Sequence, residues 1–155
     1  MKNLWIIYLY YNKNMTFNIL QLETDIKTKL ELLSNVNFVY DHYTLKTEWY
    51  PYASFELSSF DWSFADSCSN FRIQSFNVII IQNISDDMDR QWAKTILYNI
   101  LNEIVATFDW DMTLWNSNVI RWEVLKWEMW TFLSQEWDVL ALNVEINLTV
   151  NNSII

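Results

Sequence analysis

The sequence predicts an α+β fold: a mainly antiparallel sheet of about five strands with two helices packed on one face. Three observations predict it. Apolar residues recur at helical spacing in two stretches, one opening near Phe17 and one near Asp86. Between them lies Val78-Ile79-Ile80-Ile81, apolar on both faces as a central strand is. Near the C-terminus Leu140, Leu142, Val144, Ile146, Leu148 and Val150 alternate with Ala141, Asn143, Glu145, Asn147 and Thr149, the pattern of a half-buried strand.

The elements follow in order. Residues 1–14, MKNLWIIYLYYNKN, form an apolar extension. It resembles the front of a signal peptide but lacks a small-residue cleavage site. It is also far below the ~20 residues a spanning helix needs. Met15 offers a second start, so residues 15–155 read as the domain proper and 1–14 as an arm or an over-extended start. From Phe17 to Leu33 the stripe Ile19, Leu22, Ile26, Leu30 and Leu33 predicts the first helix, with Glu23, Asp25, Lys27 and Lys29 outside it. Val36 to Tyr43 is rich in β-formers and predicts a strand. Lys46 to Pro51 is a connection, and Tyr52 to Leu57 a second strand. Ser58 to Asn70 reads as a polar loop. Phe71 to Gln82 is the central strand. Ser85 caps the second helix, with Asp86, Asp87 and Asp89 placed favourably in its first turn. That helix runs to Phe108, and its stripe places Met88, Trp92, Ile96, Leu97, Ile100, Leu101 and Ile104 in the core. Val119 to Phe132 is a long strand, and Glu136-Trp137-Asp138 is a turn before the last strand.

Composition narrows the function. A chain of 155 residues implies one domain, and 52% hydrophobic residues can build a core. The net charge of -9 excludes a general binder of nucleic acid or anionic membrane. Cys68 is the single cysteine, so no intrachain disulfide forms, and a reduced cytoplasmic setting fits. His42 is the single histidine and follows Asp41, without the nucleophile elbow a serine triad would need. No metal-ligand spacing and no phosphate loop is present, so the chain is expected to be no enzyme and to hold no cofactor.

Glycine is missing altogether, whereas ten tryptophans are present. Ordinary usage would supply about eleven glycines. One reading is that UGA stands here as Trp where the native host inserts Gly, an alternative genetic code. Asp61-Trp62-Ser63, Asp109-Trp110-Asp111, the Asn-Ser-Asn run beside Trp115, and Glu136-Trp137-Asp138 would then be ordinary turns. Trp92, on the helix stripe, argues the other way. The alternative is a tryptophan-rich chain from an AT-rich genome.

One stretch is more specific. Thr47 to Ile84, TEWYPYASFELSSFDWSFADSCSNFRIQSFNVIIIQNI, carries Tyr50-Pro51, Ser59, Ser63, Phe64, Asp66, Asn70, Arg72, Phe76 and Val78 in a spaced pattern. That pattern resembles the tail-terminator and tail-completion proteins of tailed bacteriophages, the proteins of the head–tail junction. Trp49 stands where that family has glycine. An FD-x-D-x-TL-like stretch at Phe108 to Leu114 and the order of elements also fit, so the resemblance covers nearly all of 15–150.

The resemblance implies a structural virion protein, assembled in the host cytoplasm. Its subunits would form a homo-oligomeric ring, sixfold in that family, that caps the tail tube and meets a neck or connector protein. DNA would pass through the lumen without specific binding, and no membrane would be involved. On this reading Phe60 and Phe64 are candidate interface anchors in the Ser58–Asn70 loop, and Arg72 pairs with Asp66 or with a neighbour. Two alternatives stay open: a neck or connector protein of the same build, and a carbohydrate- or peptide-binding module that uses exposed tryptophans.

Overall fold

The computed structural model describes residues 19–44, 49–64, 69–84, 87–109, 119–133 and 138–153. They form α1 (Ile19–Glu31), β1 (Phe38–Tyr40), β2 (Tyr52–Phe64), β3 (Ser69–Asn83), α2 (Asp87–Asp109), β4 (Val119–Leu133) and β5 (Asp138–Ser153). The strands make one five-stranded sheet in the order β1-β2-β3-β5-β4. β1 lies parallel to β2, and the other three pairings are antiparallel. This is the expected α+β architecture, with β3 at the centre.

The alternation in β5 gives the sheet its two faces. Leu140, Leu142, Val144, Ile146, Leu148 and Val150 are all buried and join one core with Phe76, Val78 and Ile80 of β3. The helices close that core. α1 contributes Leu22, Ile26 and Leu30, and α2 contributes Ala93, Leu97, Ile100, Ile104 and Phe108. Trp122 of β4 fits between Phe76 and Phe108, with ring centroids at 5.7 and 5.1 Å. The Lys29 ammonium lies over both the Phe108 and Trp122 rings, at 5.7 and 5.9 Å. Lys29 is only 7% exposed, so its aliphatic stem is part of the packing.

The turn after α1 is fixed from α2. Glu103 accepts hydrogen bonds from the Ser34 amide at 2.7 Å, the Ser34 hydroxyl at 2.6 Å and the Asn35 side chain at 2.5 Å. Burial alone would raise the Glu103 carboxyl, but the donors from Ser34 and Asn35 outweigh it and hold the group below its ordinary value. The Asn37 amide then donates to the Pro51 carbonyl at 2.8 Å, which sets β1 beside the start of β2.

Several expectations need correction. The loop expected from Ser58 to Asn70 is strand wherever it is described: β2 continues to Phe64 and β3 begins at Ser69, and residues 65–68 lie outside the described residues. The serines and Asp61 lower local strand propensity, but a full antiparallel partner outweighs it. A bulge between Leu57 and Ser59 absorbs the irregularity. Trp62 accordingly sits in the ladder opposite Arg72 and is not in a turn. The first strand is also shorter than expected, only Phe38–Tyr40. Trp92 is 59% exposed, because the buried stripe of α2 runs through Ala93 and Leu97, one residue further round the helix. Ser85, Trp110, Trp115, Trp137 and residues 1–14 lie outside the described residues.

Trp122→Ala should cost about 3–5 kcal/mol in urea unfolding, since it empties the centre of the Phe76–Phe108 cluster. Trp92→Gly should cost only ~1 kcal/mol, the helix-propensity term alone. Glu103 also predicts a pH dependence. A carboxyl lowered on folding stabilises above its unfolded pKa, and that contribution fades as pH falls through the folded value. Glu103→Gln should therefore lose on the order of 1 kcal/mol at neutral pH, and its stability should fall less steeply than wild type below the ordinary carboxylate range.

Candidate assembly interface

Among the described residues one face of the sheet carries no helix, and that face divides into two parts. Near β1 it is aromatic. Tyr52 is fully buried there and packs edge-on against Tyr40 at 5.5 Å and tilted against Tyr50 at 5.6 Å. Its hydroxyl donates to the Thr44 carbonyl at 2.5 Å, and burial pushes its pKa well up. Ile81, Val139 and Ala141 complete this small second core. Around it Phe38, Trp130 and Phe132 remain 47%, 40% and 49% exposed.

Further along the same face the sheet becomes polar and charged. The paired positions form rows across the strands. One row runs Glu56, Asn77, Glu145, Lys126; the next runs Ser59, Ser75, Asn147, Glu123. Lys126 lies 3.5 Å from Glu145 and 3.9 Å from Glu128, and Arg121 lies 3.1 Å from Glu123. Such exposed pairs contribute little to stability, ~0–1 kcal/mol each. Their placement matters more, because charges on an edge strand discourage indiscriminate pairing.

The residues singled out from sequence cluster at the β2–β3 end of the sheet. Phe60 pairs in register with Gln74, Phe64 with Asn70, and Arg72 with Trp62. Arg72 is also opposite Val150 of β5. Asp66 lies outside the described residues, and so does any Asp66–Arg72 pair. At the bulge the buried Gln74 donates to the Ser59 carbonyl at 2.5 Å and to the Ser75 carbonyl at 3.1 Å. Ser75 in turn donates to Asn147 at 2.6 Å. The irregularity is thus held by side chains from the neighbouring strand.

Sequence reasoning missed the edge strand β4 as a surface. Leu125 and Trp127 are exposed there as well as Trp130. The available signal was the run Val124-Leu125-Lys126, where strict alternation fails and the structure has a bulge.

His42 does not build a site. Its Nδ1 is 2.8 Å from Asp41, and both side chains are more than half exposed. The His42 contact holds the Asp41 carboxyl below its ordinary value. Among the described residues no group of three or more His, Cys, Asp or Glu could hold a metal ion. No described helix is long and apolar enough to cross a membrane.

The class this geometry defines is a two-layer α+β domain with a long sheet that, among the described residues, has helices on one face only and β4 as its last strand. No family model and no curated protein matches the chain. Among solved structures, a chain in the virion of a native gene transfer agent particle is similar, with a TM-score of 0.54. The two are 15% identical, and the match covers 84% of this chain and 95% of that one. At that identity the likeness shows a common fold.

The bulge clamp is testable. Gln74→Leu should cost about 1–3 kcal/mol, because the Ser59 carbonyl loses its buried donor. Amide exchange should rise first at Ser58 and Ser59.

Proposed function

We propose that this protein is a structural component of a phage-like virion, a tail-terminator subunit that caps the tail tube and joins it to the neck. The single observation that carries the reading is the likeness of most of the chain to a chain of a gene transfer agent virion. The match spans 84% of this chain and 95% of that one, so the likeness concerns the domain as a whole. The pattern from Tyr50-Pro51 to Val78 supports the same family.

The mechanism is geometric. Subunits associate head to tail until the ring closes, with six copies in the family that this chain resembles. One face of the ring stops growth of the tube, and the other presents a surface to the connector. The net charge of -9 suits a lumen through which DNA slides without sticking. No catalytic step and no cofactor belongs to this role. The helix-free face, with its exposed Phe38, Trp130 and Phe132, favours a protein-binding part in that assembly. The same exposed aromatics also favour the second reading, a carbohydrate- or peptide-binding module.

Purified protein added to growing tail tubes should yield tubes of uniform length, each carrying a sixfold ring at one end by electron microscopy. Tubes that keep growing, with no ring bound, would refute the terminator role. A ring bound only to the connector would move the protein to the neck.

A further inference from the structure

We propose that the free protein is a twofold dimer in which β4 pairs antiparallel with β4 of a second copy, so that the two sheets join edge to edge. The inference goes beyond the terminator reading and stands without it. A contact of one strand with itself closes at two copies and cannot alone build a ring.

β4 ends the sheet, and its outer edge faces no described strand. Such an edge is a template for further pairing unless charges or bulges restrict it. β4 carries both. Arg121, Glu123, Lys126 and Glu128 are exposed along it, and a bulge falls between Val124 and Lys126. Their β5 partners, Thr149, Asn147, Glu145 and Asn143, alternate with the buried stripe of that strand. All four charges therefore lie on the helix-free face. The bulge keeps them together there, because it moves the alternation by one place at Leu125. Trp122 and Trp127, opposite the buried Leu148 and Val144, share the helix face in the same way.

That displacement permits a self-pairing in which charges and faces agree. Let the twofold axis pass between Val124 and Leu125. Glu123 and Lys126 lie equally far from that axis, and so do Arg121 and Glu128. Glu123 then stands opposite Lys126 of the second copy, and Arg121 opposite its Glu128. Symmetry makes each pair occur twice. On the helix face Trp122 stands opposite Trp127 of the second copy, and Leu125 meets Val124 at the axis. Leu125 and Trp127 are exposed in the single chain, and the pairing covers both. Within one chain Arg121 already contacts Glu123, and Lys126 contacts Glu128 and Glu145. The dimer extends that alternation of sign across the axis. The two bulges lie side by side, so both strands bend together.

Neighbouring registers fail. A shift of two residues one way sets Arg121 against Lys126, and the opposite shift sets Glu123 against Glu128. Like charges directly opposite destabilise a strand pair. A shift of one residue sets Arg121 against Trp127, which lies on the other face. The charges that discourage indiscriminate pairing thus leave this pairing open.

Two charge reversals test this, read by native mass spectrometry and sedimentation of the full chain. Wild type should be dimeric. Lys126→Glu sets two acids against each other at both symmetric positions, and Glu123→Lys sets two lysines there. Each variant alone should dimerise roughly tenfold more weakly than wild type, with unchanged circular dichroism. Mixed, with one of them isotopically labelled, they should form a one-to-one heterodimer in preference to either homodimer, since each acid then meets a lysine. The proposal is overturned if wild type stays monomeric, if either single variant pairs as well as wild type, or if the mixture shows no excess of heterodimer. Tubes that keep growing while the heterodimer forms as expected would count against the terminator reading alone.

Discussion

The β3–β5 ladder is the constraint on which the rest depends. The two strands are paired along their whole common length, from Ser69 opposite Ser153 to Asn83 opposite Val139. Neither strand has a register shift against the other. Phe76, Val78 and Ile80 therefore stay in phase with Ile146, Val144 and Leu142, and one continuous apolar surface results. Shifting either strand by one residue would turn that entire surface to the opposite face. Both helices need this surface, because neither carries enough apolar area to be stable alone.

The irregularities lie outside this ladder, in the flanking strands. β2 has its bulge at Leu57/Ser59, and β4 has register shifts at Val119/Arg121 and Val124/Lys126. A regular centre with bulged flanks lets the outer strands bend while the core keeps its packing. The polar groups exposed by bending are met locally, as Gln74 does at Ser59. The regular centre thus holds the fold, and the flanking strands carry the bends.

The tryptophans show the same division. Trp122 is used as a core residue, at 4% exposure between two phenylalanines. Trp49, Trp92, Trp127 and Trp130 are each at least 40% exposed. No non-glycine residue takes a positive φ among the described residues. The described backbone therefore uses no left-handed position that glycine alone could fill, and the glycine-like turns proposed at Trp110, Trp115 and Trp137 fall outside it.

The sequence by itself determined the elements with strong periodicity. The alternation from Leu140 to Val150, the apolar run at Val78 to Ile81 and the stripe of the first helix each have one low-energy way to bury their apolar side. The fold class follows from them. Tertiary structure decided what local pattern leaves undetermined. Ser58 to Phe64 is polar enough for a loop, and it became strand because β3 supplied a partner. Trp92 matches a helical stripe by spacing, and it faces solvent because the sheet meets α2 along Ala93 and Leu97. The edge position of β4 was equally hidden, since strand order depends on which strand enters beside β3. Pairing and packing are contacts between residues distant in sequence, and their energy outweighs local preference at such ambiguous positions.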